Sequence, residues 1–246
     1  MRRRILSSIA LIVMLAVLSV GCSKKNTSVT DANTTVTPGG EAGSETTPTP
    51  SFSEEIYETN IGTASAFSPQ MDGLHREIWK LCDGTDLKNS VFGEGTTAAW
   101  YKVLWDTESV YVLVHVTDDT PDTTAESAFD RDSVFFFLNE DCSKPTEYSF
   151  GDAFYAVDRD GQGFLGTGAS EAGFRSITYP DDSGKGYYVE VRIPLLTVTG
   201  RYDLELGFDI RVNNAAEGEL QHVITWSDLT TSTDVTLRGV GTLCLD

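Results

Sequence analysis

The sequence has few cations, few histidines and few cysteines, and each shortage excludes a class of function. Lys and Arg number 18 against 37 Asp and Glu, and the formal net charge is −19. A chain this acidic is repelled by nucleic acid and by anionic lipid head groups, so we expect neither as a direct partner. The histidines His75, His115 and His222 lie far apart in the chain. No CxxC or Cys/His spacing indicates a zinc site.

Motifs of catalytic centres are also missing from the sequence. It contains no GxSxG, no HExxH and no Cys/His arrangement of a nucleophilic enzyme. Its many carboxylates allow chance pairs at the spacing of a glycosidase, but nothing marks one of them as an acid with a raised pKa. We therefore predict that the protein is not an enzyme.

The N-terminal residues predict where in the cell the protein is located. Residues 2–4 are arginines and residues 5–20 form an apolar run, which is the pattern of a secretory signal. The run ends in LSVGC, which resembles a bacterial lipobox, although Ser19 stands where such motifs usually carry Leu. We predict a lipoprotein signal peptide over 1–21 and a lipidated Cys22, which would anchor the protein to a membrane of the cell envelope, exposed outside the cytoplasm. An ordinary secreted protein or a single-span anchor is the alternative.

The segment after the cysteine has the composition of a linker. Residues 22–51 are rich in Ser, Thr, Gly and Pro and show no apolar period. Such a segment cannot bury enough apolar surface to offset the entropy of ordering it. We predict a disordered tether here, long enough to hold a domain clear of a membrane. Removal of 1–21 takes away three positive charges, so the net charge of the remaining chain is −22 (−19 − 3).

Residues 52–246 provide enough chain for one domain. Their segments are short, alternate in hydrophobicity and are rich in Val, Ile, Tyr, Phe and Trp, with turn residues between them. We predict strands at 77–81, 98–105, 109–117, 133–139, 152–157, 186–193, 204–212, 222–226 and 241–245. Many short strands at regular spacing predict an all-β fold, an antiparallel β-sandwich or jelly roll.

The predicted strand SVFFFLN is apolar on both of its faces. Alternate residues of a strand point to opposite faces, so one face carries Phe135 and Phe137 and the other carries Val134, Phe136 and Leu138. The second set predicts burial in the core. The first set either packs as well or faces a ligand.

Seven short motifs follow one another through residues 66–246. They are MDGLHREIW (71–79), VLWDTESVYVLVHVTDDT (103–120), DRDSV (130–134), FLGTGAS (164–170), GYYVEVRIP (186–194), GFDIRVNNA (207–215), and ITWSD (224–228) with GTLCL (241–245). In this order they resemble the motifs of family 9 carbohydrate-binding modules. The resemblance implies a β-sandwich with jelly-roll topology and a noncatalytic module for the ends of plant-type or related glucans and xylans.

The resemblance also implies where a sugar would bind. In the family, two tryptophans clamp a sugar ring and polar side chains bind its hydroxyl groups. Carried over by position, the first tryptophan falls on Phe129, a hydroxyl-binding glutamate on Phe135, and an arginine near Ala156. The second tryptophan falls near Asp234 and an asparagine near Thr231. Of these positions only Phe129 keeps a similar chemistry.

We therefore predict a diverged site for an oligosaccharide or polysaccharide, in a protein that is a monomer. Its candidate ligand contacts are Phe129, Phe135, Tyr155, Asp158 and Trp226. Phenylalanine in place of a carboxylate loses a charge-assisted hydrogen bond of about 1.5–3 kcal/mol. We expect xylo- and cello-oligosaccharides to bind no more tightly than about millimolar. At Phe135 the groove is either retuned to a more apolar ligand or filled.

The acidic clusters of the sequence, together with the family resemblance, suggest structural calcium as a cofactor. The candidate ligands are Asp130, Asp132, Asp158 and Asp160, because calcium prefers six to eight hard oxygen ligands. DRDGQG resembles the start of a calcium loop but lacks the downstream ligands. A solvated turn that favours Asp is the alternative explanation for each cluster.

Two other functions compete with sugar binding. The first is a structural or protein-binding surface module, in which the face with Phe135 meets another protein. The second is a haem-binding relative of the same sandwich fold, in which Met, His or Lys ligates the iron. Met71 is the one methionine after the predicted signal peptide, so a Met-ligated haem depends on it.

Overall fold

The computed structural model of the chain describes residues 60–73 and 77–246. The predicted signal peptide, the lipidated Cys22 and the tether lie outside the described residues, as do the first residues of the predicted domain. These boundaries stay predictions. Within the described ranges, no helix has the length and apolarity needed to cross a membrane.

Thirteen strands and three short 3₁₀ helices make up the described regular structure. The strands are β1 (Ile61–Ala66), β2 (Thr85–Asp86), β3 (Asn89–Gly93), β4 (Ala98–Trp105), β5 (Ser109–Thr117), β6 (Ser133–Asn139), β7 (Asp152–Asp158), β8 (Gly163–Leu165), β9 (Arg175–Pro180), β10 (Gly186–Pro194), β11 (Leu204–Ala216), β12 (Glu219–Thr225) and β13 (Gly241–Leu245). The 3₁₀ helices are Glu77–Leu81, Ala128–Asp130 and Ser232–Asp234.

The strands form two layers joined by β1. In the first layer β8, β7, β6, β11 and β13 are neighbours, and β12 and β3 extend the sheet from the far half of β11. The second layer runs β4, β5, β10, β9, with β2 paired to β4. β1 pairs in parallel with β13 and then with β4, and every other strand pair among the described residues is antiparallel. The predicted all-β sandwich is confirmed.

β1 was not among the predicted strands because its residues, IGTASA, are small and do not alternate in hydrophobicity. The small residues have a packing reason. A Cβ at Gly62 would lie 3.1 Å from the Trp226 ring and 3.2 Å from the Tyr101 hydroxyl. A larger side chain would therefore push β1 away from the core at the point where it closes the two layers.

The two faces of β6 enter two different hydrophobic clusters. Val134, Phe136 and Leu138 belong to the main core between the layers. Phe135 and Phe137 lie on the outer face of the first layer, in a second cluster covered by loops. Both sets are buried, with at most 1% of any of these five side chains exposed.

The segment EIWKL was predicted as a strand, and this is wrong. Residues Glu77–Leu81 form a 3₁₀ helix that covers the outer face of the second layer. Trp79 is 1% exposed, packs with Leu104 and Leu113, and donates its indole N–H to Glu190 Oε1 at 3.1 Å. The apolar residues of this segment serve to anchor a cover on the sheet.

Candidate functional site

A groove of about 260 Å³ opens on the outer face of the first layer, beside β11 and β12. Two phenylalanines, Phe92 and Phe129, line it and are 48% and 38% exposed. The other apolar lining residues are Leu220 and Val223, and the polar ones are Asp130, Arg211, Asn213, Thr231 and Asp234. A small concave site with aromatic and converging polar side chains is the usual form of a small-ligand site.

The strand register explains which residues reach this face. Asn213 of β11 pairs with Val223 of β12, and Val223 pairs with Phe92 of β3. Directly paired residues share a face, so these three side chains form one row across three strands. Arg211 lies two residues from Asn213 in β11, on the same face.

The loop that carries Phe129 is held by side-chain hydrogen bonds. Ser127 Oγ accepts the Phe129 backbone N–H at 3.1 Å and caps the short 3₁₀ helix. The Arg131 guanidinium donates to the Ala125 carbonyl at 2.5 Å and to Asp158 Oδ2 at 3.0 Å. At the groove itself, Asn213 Nδ2 donates to the Phe129 carbonyl at 2.7 Å. These hydrogen bonds therefore hold in place the backbone that carries the exposed Phe129 ring.

Arg211 lies at the centre of the site and is only 3% exposed. Its guanidinium carbon is 4.3 Å from the centroid of the Phe135 ring and 5.3 Å from that of Phe129. These are distances at which a cation is attracted by an aromatic face. Its Nη1 donates to the Thr231 carbonyl at 3.2 Å and to Asp234 Oδ1 at 3.4 Å.

Some buried polar atoms of the site have no hydrogen-bond partner within the described part of the chain. The buried Nε and Nη2 of Arg211 and the buried Oδ1 of Asn213 have no hydrogen-bond partner among the described residues. Burial lowers the pKa of the Arg211 guanidinium, and the nearby Asp234 carboxylate opposes that shift. An unsatisfied buried donor costs about 1–3 kcal/mol, more when it is charged. The hydrogen bonds of such groups are completed by a bound ligand, an ion or an ordered water.

The loop after β12 brings two further polar residues to the groove. Asp209 of β11 accepts the backbone N–H groups of Ser227 and Asp228 at 3.0 and 2.7 Å, and burial raises the pKa of Asp209 to about 7. These bonds fix the start of the loop, whose next turn carries Thr231 and Asp234 to the groove.

The predicted contacts separate into two groups. Phe129 lines the groove, and Phe135 lies directly beneath Arg211. Tyr155 is in the main core and 0% exposed, and it stacks on Phe174 at 4.6 Å. Trp226 is in the same core beside Tyr101. The structure does not bring these two core residues to the groove.

The four aspartates that were predicted as candidate calcium ligands interact with different parts of the chain. Asp158 is 1% exposed and is paired with Arg131. Asp132 accepts backbone N–H groups through both of its oxygens, Asp160 accepts the Thr123 hydroxyl, and Asp130 lines the groove. Among the described residues no group of three or more His, Cys, Asp or Glu could hold a metal ion. These four carboxylates therefore do not fit a common calcium site.

Met71, the candidate haem ligand, is not among the groove residues. Met71 packs at the edge of the cluster that contains Trp79. Among the described residues, Cys82, Cys142 and Cys244 form no disulfide.

The residue positions carried over from the family did not locate Arg211, the cation of the site. The expected arginine falls near Ala156, which is 1% exposed and pairs with Phe135 from β7. On its other side Phe135 pairs with Arg211 from β11. A guanidinium therefore reaches the same place from the opposite neighbouring strand. The polar series Asp209, Arg211 and Asn213, at alternate positions of an otherwise apolar strand, is the signal in the sequence that could have located it.

The fold and the groove define a β-sandwich binding module, and comparison with known proteins identifies its family. Residues 71–245 match the family model described as carbohydrate family 9 binding domain-like. The chain belongs to this family, as its motifs indicated.

Relatives of known sequence carry this module as part of much longer chains. The chain is 32% identical over 186 residues to endo-1,4-beta-xylanase A of Thermoanaerobacterium saccharolyticum, which covers 75% of this chain and 16% of the relative. It is 31% identical over 186 residues to exoglucanase XynX of Acetivibrio thermocellus, covering 75% of this chain and 17% of the relative. The chain thus spans about a sixth of the length of the curated relatives it matches.

Solved structures share the fold. A family 9 carbohydrate-binding module from Caldicellulosiruptor kristjanssonii in complex with cellotriose superposes with a TM-score of 0.72 at 24% identity, covering 76% of this chain and 94% of that one. The same organism's module in complex with glucose gives a TM-score of 0.71, also at 24% identity, covering 76% and 96% of the two chains.

Proposed function

We propose that the groove beside β11 binds one sugar ring of a neutral glucan or xylan chain, without catalysis. One observation carries the proposal: Arg211 is 97% buried, lines the groove, and holds two donors that no described residue satisfies. Sugar hydroxyl groups accept hydrogen bonds from such donors and donate to carboxylate and amide oxygens.

The charges of the groove favour a neutral ligand. Asp130 and Asp234 bring two carboxylates and Arg211 brings one guanidinium, so the lining side chains are net negative. An acidic sugar would be repelled, whereas hydroxyl groups can use the donors of Arg211 and the acceptors of Asn213 and Asp234 together. The exposed Phe129 ring offers an apolar face for sugar CH groups.

The choice of glucan and xylan is supported by what the relatives are called. Two of them are named as a xylanase and an exoglucanase, and the solved modules hold cellotriose and glucose. The site here has phenylalanine at the position of the first tryptophan, no aromatic residue at the position of the second, and no carboxylate at position 135. We therefore retain the expectation of affinities near or weaker than about millimolar.

Replacement of Phe129 by Ala tests the proposal. We expect the variant to bind cellobiose or xylobiose about 3- to 10-fold more weakly, because the stacking face is lost. The measurement is an NMR titration of the chain from residue 22 onward, with Cys22→Ser so that it purifies without detergent, in the presence and absence of calcium. Phe150→Ala is the matched control, since Phe150 is 89% exposed and not among the groove residues.

The outcome distinguishes sugar binding from the competing functions. A wild-type chain that binds neither disaccharide, together with a protein partner recovered on the same face, would favour the protein-binding alternative. A Soret band in the purified protein would favour haem.

We further propose that Cys22 attaches this module to a bacterial envelope membrane through lipid, with residues 23–51 as a tether. The support is the sequence: the arginines, the apolar run and the cysteine that follows it. Cys22→Ser is expected to move the protein from the detergent phase to the aqueous phase on phase separation. Cys82→Ser, at a cysteine of the described residues that forms no disulfide, should leave it in the detergent phase. A wild-type protein found in the aqueous phase would contradict the anchor.

A further inference from the structure

We propose that the outer face of the second layer carries a further binding site, which takes a segment of a neutral glycan chain. The site is separate from the groove beside β11, which lies on the opposite face of the sandwich. It is a cavity of about 440 Å³ where β4 begins and β5 ends, and it is called the channel below. Its lining includes two rings, two small side chains and two charged ones: Trp100, His115, Ala98, Thr117, Asp86 and Lys88.

The strand register places two rows of side chains next to each other on this face. Trp100 of β4 pairs with His115 of β5. Two residues away, Ala98 of β4 pairs with Thr117 of β5. Directly paired residues share a face, and residues two apart in a strand point the same way. The small side chains of the second pair therefore leave a channel beside the two rings. Trp100 also packs at the edge of the cluster around Trp79, which lies on the outer face of this layer.

The rings beside the channel are held in place by their neighbours. His115 Nε2 donates to Asp181 Oδ2 at 3.1 Å. The His115 ring centroid lies 5.4 Å from that of Trp100 and 4.6 Å from that of Tyr188. The Lys102 ammonium lies 5.9 Å from the centroid of the Trp100 ring. Because these side chains are already ordered, a ligand that contacts them loses little affinity to the cost of ordering them.

The polar groups of the channel suit a ligand with many hydroxyl groups. The Lys88 ammonium donates hydrogen bonds, the Asp86 carboxylate accepts them, and the Thr117 hydroxyl does both. All three residues are exposed. One carboxylate and one ammonium have no net charge together, which favours a neutral ligand over a strongly charged one. The partly exposed Trp100 ring offers an apolar surface to the CH groups of a sugar.

An extended peptide suits the channel less well than a glycan. A peptide that adds to a sheet binds through backbone hydrogen bonds to a free strand edge. Here β4 is paired with β5 and β2, and β5 is paired with β4 and β10. Recognition must therefore come from side chains above the sheet. The channel extends across β2, β4 and β5, or about 9.6 Å at the usual strand spacing. We therefore expect an oligosaccharide to bind more tightly than a monosaccharide.

An NMR titration that follows individual backbone amides tests the inference. The protein is the chain from residue 22 onward with Cys22→Ser, and the probes are cellopentaose, xylopentaose and methyl β-glucoside. In the wild type we expect the Ala98 and Thr117 amides to shift with a common Kd that is lower for the pentaoses than for the glucoside. Trp100→Ala should weaken this binding about 3- to 10-fold. It should leave the titration of the Asn213 amide in the groove unchanged.

A second variant tests the channel without removing a packed ring. Thr117→Arg fills the channel from an exposed position and should weaken binding there at least about tenfold, because the arginine occupies the space of the ligand. Thr107→Arg is the matched control, since Thr107 is also exposed and lies in the turn between β4 and β5, outside the channel. It should change neither site. Phe129→Ala should weaken only the groove.

The two sites can fail independently. If the Ala98 and Thr117 amides of the wild type respond to neither pentaose, or if Trp100→Ala and Thr117→Arg bind as tightly as the wild type, the channel is excluded as a glycan site, whatever the groove binds. If these amides shift and those of the groove do not, the proposed function of the groove is overturned and the channel remains.

Discussion

Replacement of Arg211 by Met is expected to weaken cellobiose binding by at least about tenfold while leaving the domain as stable as before, or more stable. The loss of affinity follows from the charge-assisted hydrogen bonds that a guanidinium makes to sugar hydroxyl groups, worth about 1.5–3 kcal/mol. The stability follows from the incomplete satisfaction of the buried cation, whose Nε and Nη2 have no partner among the described residues. Methionine keeps an unbranched apolar stem over the Phe135 ring and removes the desolvated charge.

This combination of effects separates a binding residue from a structural one. NMR titration gives the affinity and urea unfolding gives the free energy of unfolding. Arg211→Lys should keep the charge but recover only part of the affinity, because an ammonium cannot reproduce the planar donor set. Arg192→Met is the matched control, since Arg192 is half-exposed and bonds to Ser109 and Glu108 outside the groove. Unchanged affinity combined with a large loss of stability in Arg211→Met would make Arg211 a structural residue.

Replacement of Phe135 by Glu is expected to destabilise the domain by at least about 3 kcal/mol and to create no new sugar binding. Deletion of a buried phenylalanine costs about 3–5 kcal/mol, and the new carboxylate would be buried as well. Phe135 is 1% exposed and its ring centroid lies 4.9 Å from that of Phe129 and 6.3 Å from that of Phe137. Arg211 could pair with the new charge, but a buried pair does not recover its desolvation together with the lost packing.

Urea unfolding and sugar titration of the same samples decide this question. Phe150→Glu makes the identical chemical change at an 89% exposed position, so its unfolding free energy should change by no more than about 0.5 kcal/mol. Of the two hypotheses for Phe135, the packing around it favours a filled position, with the polar contact supplied by Arg211. A stable Phe135→Glu variant that binds cellobiose more tightly than the wild type would show instead that the position is open to the ligand.

The strands of this domain could be predicted in detail where their hydrophobic pattern was strong. β4, β5, β6 and β13 have the predicted bounds, because alternating β-branched and aromatic residues favour the strand conformation in segments of this length. β1, β2, β3, β8 and β9 were not predicted, since these segments are short or their residues are small, polar or irregular in pattern. EIWKL shows the opposite error: its apolar residues anchor a 3₁₀ helix on the sheet.

The candidate site could be predicted only where it depends on one segment of the chain. Phe129 follows from its own motif, and it lines the groove. Arg211 was overlooked because a charged residue in a strand is ordinarily a solvated one, and only the packing of Phe135 beneath it and the loop above it makes it buried. Tyr155 and Trp226 were near the site in the order of motifs, but they point into the core.

The all-β class, the family and the position of one aromatic contact follow from the sequence, because alternation and short motifs are local properties of the chain. Which residues meet at the groove depends on how the strands pair in the folded domain. Phe92, Arg211 and Asn213 lie on two strands more than a hundred residues apart and become neighbours only through the pairing of β3, β12 and β11. A cross-strand register depends on the whole sheet, so no single segment of the sequence contains it.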